Sequence, residues 1–256
     1  MNMTSNPDPL KMADDRFEVD AAGDDPADDR VWRALLDRAS APYRQAGRFA
    51  WHFARGKLGM DPVFRHLLVA RLIPPGARVL DIGCGQGVLA SLLLARAAGR
   101  APVRFTGIEL MARDVDRARA AHGESGLATF VCGDMCGVPF PVSDAVVILD
   151  VLHYVDIPAQ DRVLERVRDA LVPGGRLLLR VGDASARRGY AISQWVDRVV
   201  TGVRGHTAPP THGRPLSAWI ARLESLGFQV EARPMSHGTP FANVLLVAQR
   251  RVGGAA

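Results

Sequence analysis

The chain has 256 residues, of which 48% are apolar and 23% charged, which is an ordinary globular composition. It contains no run of 18 or more apolar residues, and its first residues lack the pattern of a signal peptide, so we expect neither a membrane span nor export. Three cysteines are too few for a disulfide framework, and a cytoplasmic location is therefore predicted.

Charge divides the chain into an acidic start and a basic remainder. Residues 1–30 carry nine acidic and three basic side chains, a net charge of −6, and residues 31–256 carry +11 because the whole chain is +5. Residues 1–27 also show little periodicity and are predicted to be a disordered acidic tail. The cations are almost all arginines spread along the chain, so the sequence does not favour a nucleic-acid partner.

Residues 28–74 are predicted to form an N-terminal helical cap, or lid. Apolar residues between positions 31 and 36 recur at helical spacing, and Pro42 can open a second helix whose end is rich in aromatic residues. Asp61 and the proline after it provide the N-cap and first turn of a third helix, which is predicted to run to Leu72.

From residue 75 onward, short apolar runs alternate with amphipathic stretches. The predicted strands are 78–82, 103–108, 127–132, 145–149 and 176–181, and the predicted helices between them are 87–98, 111–122 and 158–171. Near-continuous apolar strands with helical crossovers predict a parallel sheet that is covered on both faces.

The last third departs from this alternation. It is predicted to contain a helix over 185–203, a loop over 205–215, a helix over 216–226, and two strands over 228–234 and 243–250. The link between these two strands is too short for a crossover, so an antiparallel pair is expected.

The strongest motif is the segment VLDIGCGQG at 79–87, which lies between a strand and a helix. Its glycines permit a sharp turn close to a ligand, and the helix that follows offers free N–H groups. Asp81 lies inside the strand end, where its carboxylate would repel a pyrophosphate but accept an ammonium group or a ribose hydroxyl. Glu109 and Asp134 end the next two strands, at the edge where doubly wound sheets bind ligands.

These segments resemble the class I S-adenosylmethionine-dependent methyltransferases. The matching pieces are VLDIGCGQG (79–87), GIEL (107–110), GDM (133–135), DAVVILDVLHYV (144–155) and LVPGGRLLLR (171–180). The resemblance implies an α/β fold, with a doubly wound, mostly parallel seven-stranded sheet and an antiparallel last strand. It also implies a methyltransferase domain at 75–256, with a cap insertion at about 183–214.

The resemblance further implies S-adenosylmethionine as the cofactor and assigns residues to it. The implied cofactor-binding residues are Asp81, Gly83, Cys84, Gly85, Gly87, Glu109, Leu110, Met111, Gly133, Asp134, Met135, Asp150, Val151 and Leu152. No metal site is predicted, because no second Cys or His pair accompanies Cys132 and Cys136.

The acceptor side is less well defined. His153 and Tyr154 follow the fourth strand at the mouth of the cleft and are the catalytic candidates, although packing residues at such a junction look the same. Candidate substrate contacts are Tyr43, Trp51, Tyr190, His206 and His212, each of which can equally be a core or solvated residue.

A small-molecule or carrier-bound acceptor is expected. Enzymes that methylate amino groups of nucleic acids carry an Asn/Asp-Pro-Pro-aromatic motif after the fourth strand, where this chain has LDVL at 149–152. Residues 53–64 also resemble methyltransferases of bacterial aryl-polyene and fatty-acid-type gene clusters, which points to an aryl or acyl intermediate of secondary metabolism. The alternatives are an RNA or protein methyltransferase and a cofactor-binding subunit without turnover.

Overall fold

The computed structural model describes residues 25–97, 101–123, 125–182, 212–235 and 243–252. Nearly all of the predicted acidic tail and the whole predicted helix at 185–203 lie outside these residues. Within the described ranges, none of the helices has both the length and the apolar character that crossing a bilayer requires.

The N-terminal region forms three α-helices and one short 3-10 helix. The α-helices are α1 (Asp29–Ser40), α2 (Arg48–Met60) and α3 (Pro62–Val69), and the 3-10 helix spans Ala41–Arg44. Asp28 caps α1 by accepting a hydrogen bond from Arg30 N at 2.6 Å.

The single helix expected to open at Pro42 is therefore two elements. Gly47 interrupts it with a φ of +103°, which lies far from helical values, so the 3-10 helix ends and α2 begins anew. The predicted third helix starts where expected but ends at Val69, three residues before Leu72.

Seven strands form one sheet with the order β3-β2-β1-β4-β5-β7-β6. They are β1 (Arg78–Ile82), β2 (Arg104–Glu109), β3 (Ala128–Cys132), β4 (Ser143–Leu149), β5 (Leu171–Gly182), β6 (Phe228–Pro234) and β7 (Asn243–Arg250). Strand β7 pairs antiparallel with both β5 and β6, while β1 to β5 pair in parallel. The predicted fold class, including the reversed last strand, is confirmed.

The remaining helices cover the two faces of the sheet. They are α4 (Val88–Arg96), α5 (Ala112–His122), α6 (Ile157–Ala170) and α7 (Leu216–Ser225), with a 3-10 helix at Leu152–Tyr154. Alternate strand residues enter two separate apolar clusters: Val79 packs with α1 to α5 on one face, and Leu80 packs with α6 and α7 on the other. This arrangement brings the carboxyl ends of β1 to β5 to one edge of the sheet.

Candidate functional site

The glycine-rich segment forms a tight loop between β1 and α4. Gly83, Gly85 and Gly87 all have positive φ, at +76°, +54° and +74°. A Cβ atom on Gly83 would lie 2.4 Å from Val151 Cγ1, so this glycine lets the loop approach the end of β4. A Cβ on Gly85 would meet no atom within 4 Å, so the tip of the loop faces open space, on the side where a ligand can bind.

Hydrogen bonds with side chains of neighbouring elements hold the loop in place. The Gly85 N–H donates to Glu109 Oε2 at 2.9 Å, and Gln86 Nε2 donates to Asp114 Oδ1 at 3.0 Å. The Tyr43 hydroxyl donates to the Gln86 carbonyl at 2.7 Å. The loop conformation is therefore fixed by protein contacts before any ligand binds.

Asp81 is a buried carboxyl group at the end of β1. Its exposed fraction is 4%, and the described parts of the chain provide it with neither a hydrogen bond nor an ion pair. Burial, and secondarily the charge of Glu109, raise the pKa of Asp81 to about 8. A buried acid of this kind fits a ligand that brings a positive charge or hydrogen-bond donors.

Glu109 is the last residue of β2, and Asp134 lies two residues after the end of β3. Glu109 Oε1 accepts from Met111 N at 2.9 Å, so the two carboxylate oxygens each hold one backbone N–H and keep a further lone pair. Asp134 is exposed, and its Oδ1 accepts from Cys136 N at 2.8 Å. Since β3, β2 and β1 are neighbours, the structure brings all three predicted carboxylates to one sheet edge.

The other expected cofactor residues lie around these acids. Leu110 is 66% exposed beside Glu109, and Gly133 permits close packing, since a Cβ there would lie 2.4 Å from Val138 Cγ2. Cys84 is buried and packs against Gly107, and burial raises the pKa of its thiol well above the usual range. Met111, Met135 and Val151 are partly buried, and Leu152 is buried.

Asp150 follows β4 with a backbone φ of +59°, a left-handed conformation that is uncommon for non-glycine residues but that aspartate adopts more readily than most. Arg180 Nε donates to both of its oxygens at 3.0 and 2.9 Å. Arg180 also donates from Nη2 to Asp61 Oδ2 at 2.8 Å, and its side chain is only 3% exposed. The carboxylate of Asp150 is thus held by an arginine that also reaches the N-cap of α3.

Sequence reasoning missed both Arg180 and the second role of Asp61. Burial alone would raise the pKa of Asp61, but hydrogen bonds and the charge of Arg180 hold it well below its usual range. One sign was present in the sequence: Arg180 interrupts an otherwise apolar strand after three leucines. A charged residue inside a buried strand needs a partner.

Two of the acceptor-side candidates lie side by side. The His153 and Tyr154 rings are 4.2 Å apart, and His212 N donates to the His153 carbonyl at 2.8 Å. Gln160 Nε2 in turn donates to the His212 carbonyl at 2.8 Å, which fixes this junction against α6. Tyr190 and His206 lie outside the described residues.

The two N-terminal candidates are placed differently. Tyr43 has no exposed surface, and its hydroxyl contacts the glycine loop. Trp51 is partly buried on α2, with Arg44 Cζ 5.5 Å from its ring centroid. A cavity of about 530 Å³ between α1, α4 and α5 contains none of the predicted site residues.

Comparison with known proteins identifies a methyltransferase domain in the central region of the chain. Residues 79–175 match the family described as "Methyltransferase domain". Residues of this chain are 35% identical over 130 positions to the fatty-acid O-methyltransferase of Mycolicibacterium smegmatis, covering 51% of this chain and 44% of that protein. This chain therefore spans less than half the length of that relative.

The names of two further relatives refer to different processes, ubiquinone biosynthesis and the methylation of ribosomal RNA. A ubiquinone biosynthesis O-methyltransferase of Xanthomonas axonopodis is 29% identical over 179 residues, covering 67% of this chain and 71% of that protein. A ribosomal RNA small subunit methyltransferase C of Chromohalobacter salexigens is 35% identical over 134 residues, covering 50% and 38%.

A solved structure supports the fold independently. Magnesium protoporphyrin IX methyltransferase from Synechocystis, solved with bound SAH, superposes with a TM-score of 0.54 at 20% identity, covering 87% of this chain and all of that one. At this level of identity the match concerns the fold alone.

Proposed function

We propose that this chain, whose residues 79–175 match the methyltransferase-domain family, is a class I S-adenosylmethionine-dependent methyltransferase and transfers a methyl group to a small-molecule or carrier-bound acceptor. One observation carries the proposal: three carboxylates end three adjacent strands around a preformed glycine loop, and one of them is buried without a partner in the described chain. Such an edge is where doubly wound sheets bind their ligands.

The residues present fit S-adenosylmethionine. Asp81 offers a buried carboxyl group that the ammonium group of the methionine part would hold in its ionised form. Glu109 keeps lone pairs for the two ribose hydroxyls, and the exposed Asp134 can accept from the adenine amino group. Leu110 and Met111 supply apolar surface for the adenine ring.

Methyl transfer from this cofactor requires little covalent participation by the protein. When bound, the cofactor supplies an activated sulfonium methyl for in-line displacement. The chain's own residues orient the reactants and exclude water, which accounts for a large share of the rate enhancement of such reactions. His153 accepts the proton of a hydroxyl acceptor in this proposal, and Tyr154 keeps the imidazole in place through its ring contact.

An apolar acceptor is supported by the surface of α2. The ring centroid of Phe49, near the start of α2, lies 4.8 Å from Arg117 Cζ of α5, and Asp61, after the end of α2, bonds Arg180 of β5. Phe49 and Met60 are 60% and 80% exposed, and their separation of eleven positions is about three helical turns, which places both side chains on one face of the helix. The names of two relatives refer to a fatty acid and to ubiquinone biosynthesis, and an acyl or aryl acceptor of this chain would suit such a surface.

Calorimetry with S-adenosylhomocysteine tests the cofactor site. We expect the full chain to bind it and Asp81→Asn to bind about tenfold to a hundredfold more weakly, because a charge-assisted hydrogen bond is lost. Asp144→Asn is the matched control, since Asp144 pairs with Arg78 at the opposite end of the strands, and it should bind normally. No binding heat from the folded protein would contradict the proposed function.

Turnover is tested separately with radiolabelled S-adenosylmethionine and a panel of long-chain fatty acids and phenolic acids. We expect label to appear in at least one acceptor and His153→Ala to reduce the rate. Cofactor binding without transfer to any acceptor would favour the alternative of a binding subunit without turnover.

RNA methylation is the second candidate, since one relative is named for ribosomal RNA and residues 31–256 carry a charge of +11. Binding to ribosomal RNA fragments that weakens steeply with added salt would favour it. The absence of a Pro-Pro-aromatic motif after β4 counts against it.

A further inference from the structure

Tyr43 is a buried residue outside the matched methyltransferase domain. It lies in the 3-10 helix at Ala41–Arg44, has no exposed surface, and donates its hydroxyl hydrogen to the Gln86 carbonyl at 2.7 Å. Gln86 is the residue between Gly85 and Gly87 at the tip of the glycine loop. A side chain 43 positions away in sequence therefore holds the backbone of the cofactor loop.

The peptide group that Tyr43 holds is fixed at both of its polar atoms. The carbonyl of Gln86 accepts from Tyr43, and the N–H of the same peptide group, on Gly87, donates to the Cys84 carbonyl at 2.9 Å. These bonds close the loop on itself and leave the space above Gly85 open. The orientation of the loop toward a ligand thus depends on a hydroxyl behind it.

His122 at the end of α5 supports the Tyr43 hydroxyl. Its Nε2 lies 3.4 Å from the hydroxyl oxygen, and the two rings meet edge-on with centroids 5.6 Å apart. Because the hydroxyl hydrogen is directed to Gln86, the imidazole N–H is the group that can donate to the oxygen. Burial lowers the pKa of His122 to about 4, so the ring stays neutral at ordinary pH.

We propose that Tyr43 is a positioning residue for the cofactor: its hydroxyl holds the Gln86–Gly87 peptide in the binding-competent orientation, so the N-terminal helical region is a structural part of the cofactor site. This inference rests on the proposed function. It assigns Tyr43 a role behind the loop, where it acts through Gln86 and does not touch the ligand.

The test is Tyr43→Phe in the full chain, which keeps the ring and removes the hydroxyl. We expect the dissociation constant for S-adenosylhomocysteine to rise about tenfold, because a buried hydrogen bond that orders the loop is lost. In the ligand-free protein, hydrogen exchange at amides 84–88 should become faster while exchange in β4 stays unchanged. Asp37→Asn is the matched control, since it breaks only the exposed Arg55–Asp37 pair of the same helical region.

The outcomes separate the two claims. Equal binding by the unmodified protein and Tyr43→Phe overturns the positioning role, even if the variant unfolds at a lower temperature, because packing alone would explain that loss. Weaker binding by Asp37→Asn to the same degree overturns it also, because any damage to the helical region would then suffice. Failure of the unmodified, folded protein to bind S-adenosylhomocysteine overturns the proposed function itself.

Discussion

Asp81 is the residue whose environment is most unusual for its chemistry. An acid that is 4% exposed and beside a second acid is held mainly in its neutral form at pH 7, because its pKa is about 8. A ligand with an ammonium group favours the ionised form and lowers that pKa. Binding of such a ligand at pH 7 must therefore release a proton from the protein.

This linkage predicts a pH dependence of cofactor binding. Affinity for S-adenosylhomocysteine should increase from about pH 6 to about pH 8. As the pH rises, a larger fraction of Asp81 is already ionised, so fewer protons have to be released on binding. At pH 7, the buffer takes up the proton that Asp81 releases. The binding heat measured by calorimetry should therefore vary with the ionisation enthalpy of the buffer. The neutral variant Asp81→Asn should show neither effect, and identical heats in all buffers for the unmodified protein would refute the linkage.

Helix α2 lies between two residues that bond to distant parts of the site. Tyr43, just before it, bonds to the glycine loop after β1, and Asp61, just after it, bonds to Arg180 of β5. Lys57 also donates to Asp61 at 2.8 Å, so two cations and two carboxylates meet there with balanced charge. Arg180 and Asp61 are the most buried members of this group, at 3% and 12% exposed, and removing one partner of a buried ion pair is strongly destabilising.

Removing the central cation should therefore be costly. We expect Arg180→Met to lower the free energy of unfolding by about 3–5 kcal/mol, because it removes the buried cation that both Asp61 and Asp150 bond to and leaves Asp61 with Lys57 as its cation. Arg55→Met, which breaks the exposed Arg55–Asp37 pair, should cost less than about 1 kcal/mol. Urea denaturation measures both, and a loss for Arg180→Met no larger than that of Arg55→Met would disprove the role of the cluster.

Elements with a clear local pattern could be predicted from the sequence, whereas contacts between distant segments could not. Strands β6 and β7 begin and end where their apolar runs indicated, and the three acids meet because parallel strands share one edge. The break at Gly47 was missed because a glycine can also lie within a helix. The pairing of Arg180 with Asp61 spans 119 positions and has no counterpart in local periodicity.

At the scale of the molecule, the N-terminal helices and the sheet share one apolar cluster. Leu58 and Leu67 of the helices pack in the same cluster as Val147 of β4 and Leu178 of β5. Such shared burial favours one cooperative transition over two. The division into a helical region at 28–74 and a domain from residue 75 remains a prediction about sequence organisation.

A single transition predicts how the ligand acts on stability. S-adenosylhomocysteine at a hundred times its dissociation constant should add about 2.7 kcal/mol to the free energy of unfolding by mass action. Hydrogen exchange followed through thermal unfolding should show amides of α1 and β4 losing protection together, with and without ligand. Earlier loss in α1 would mean that the helical region unfolds by itself.

The position of β7 has a consequence for synthesis of the protein. This strand lies between β5 and β6, yet its residues, 243–250, are the last of the seven strands to leave the ribosome. Until they emerge, β5 presents an open edge and β6 has no strand to join, which invites pairing with other nascent chains. Protection by chaperones should matter most in the interval after β6 has left the ribosome and before β7 has done so, when the strand that joins β5 to β6 is missing.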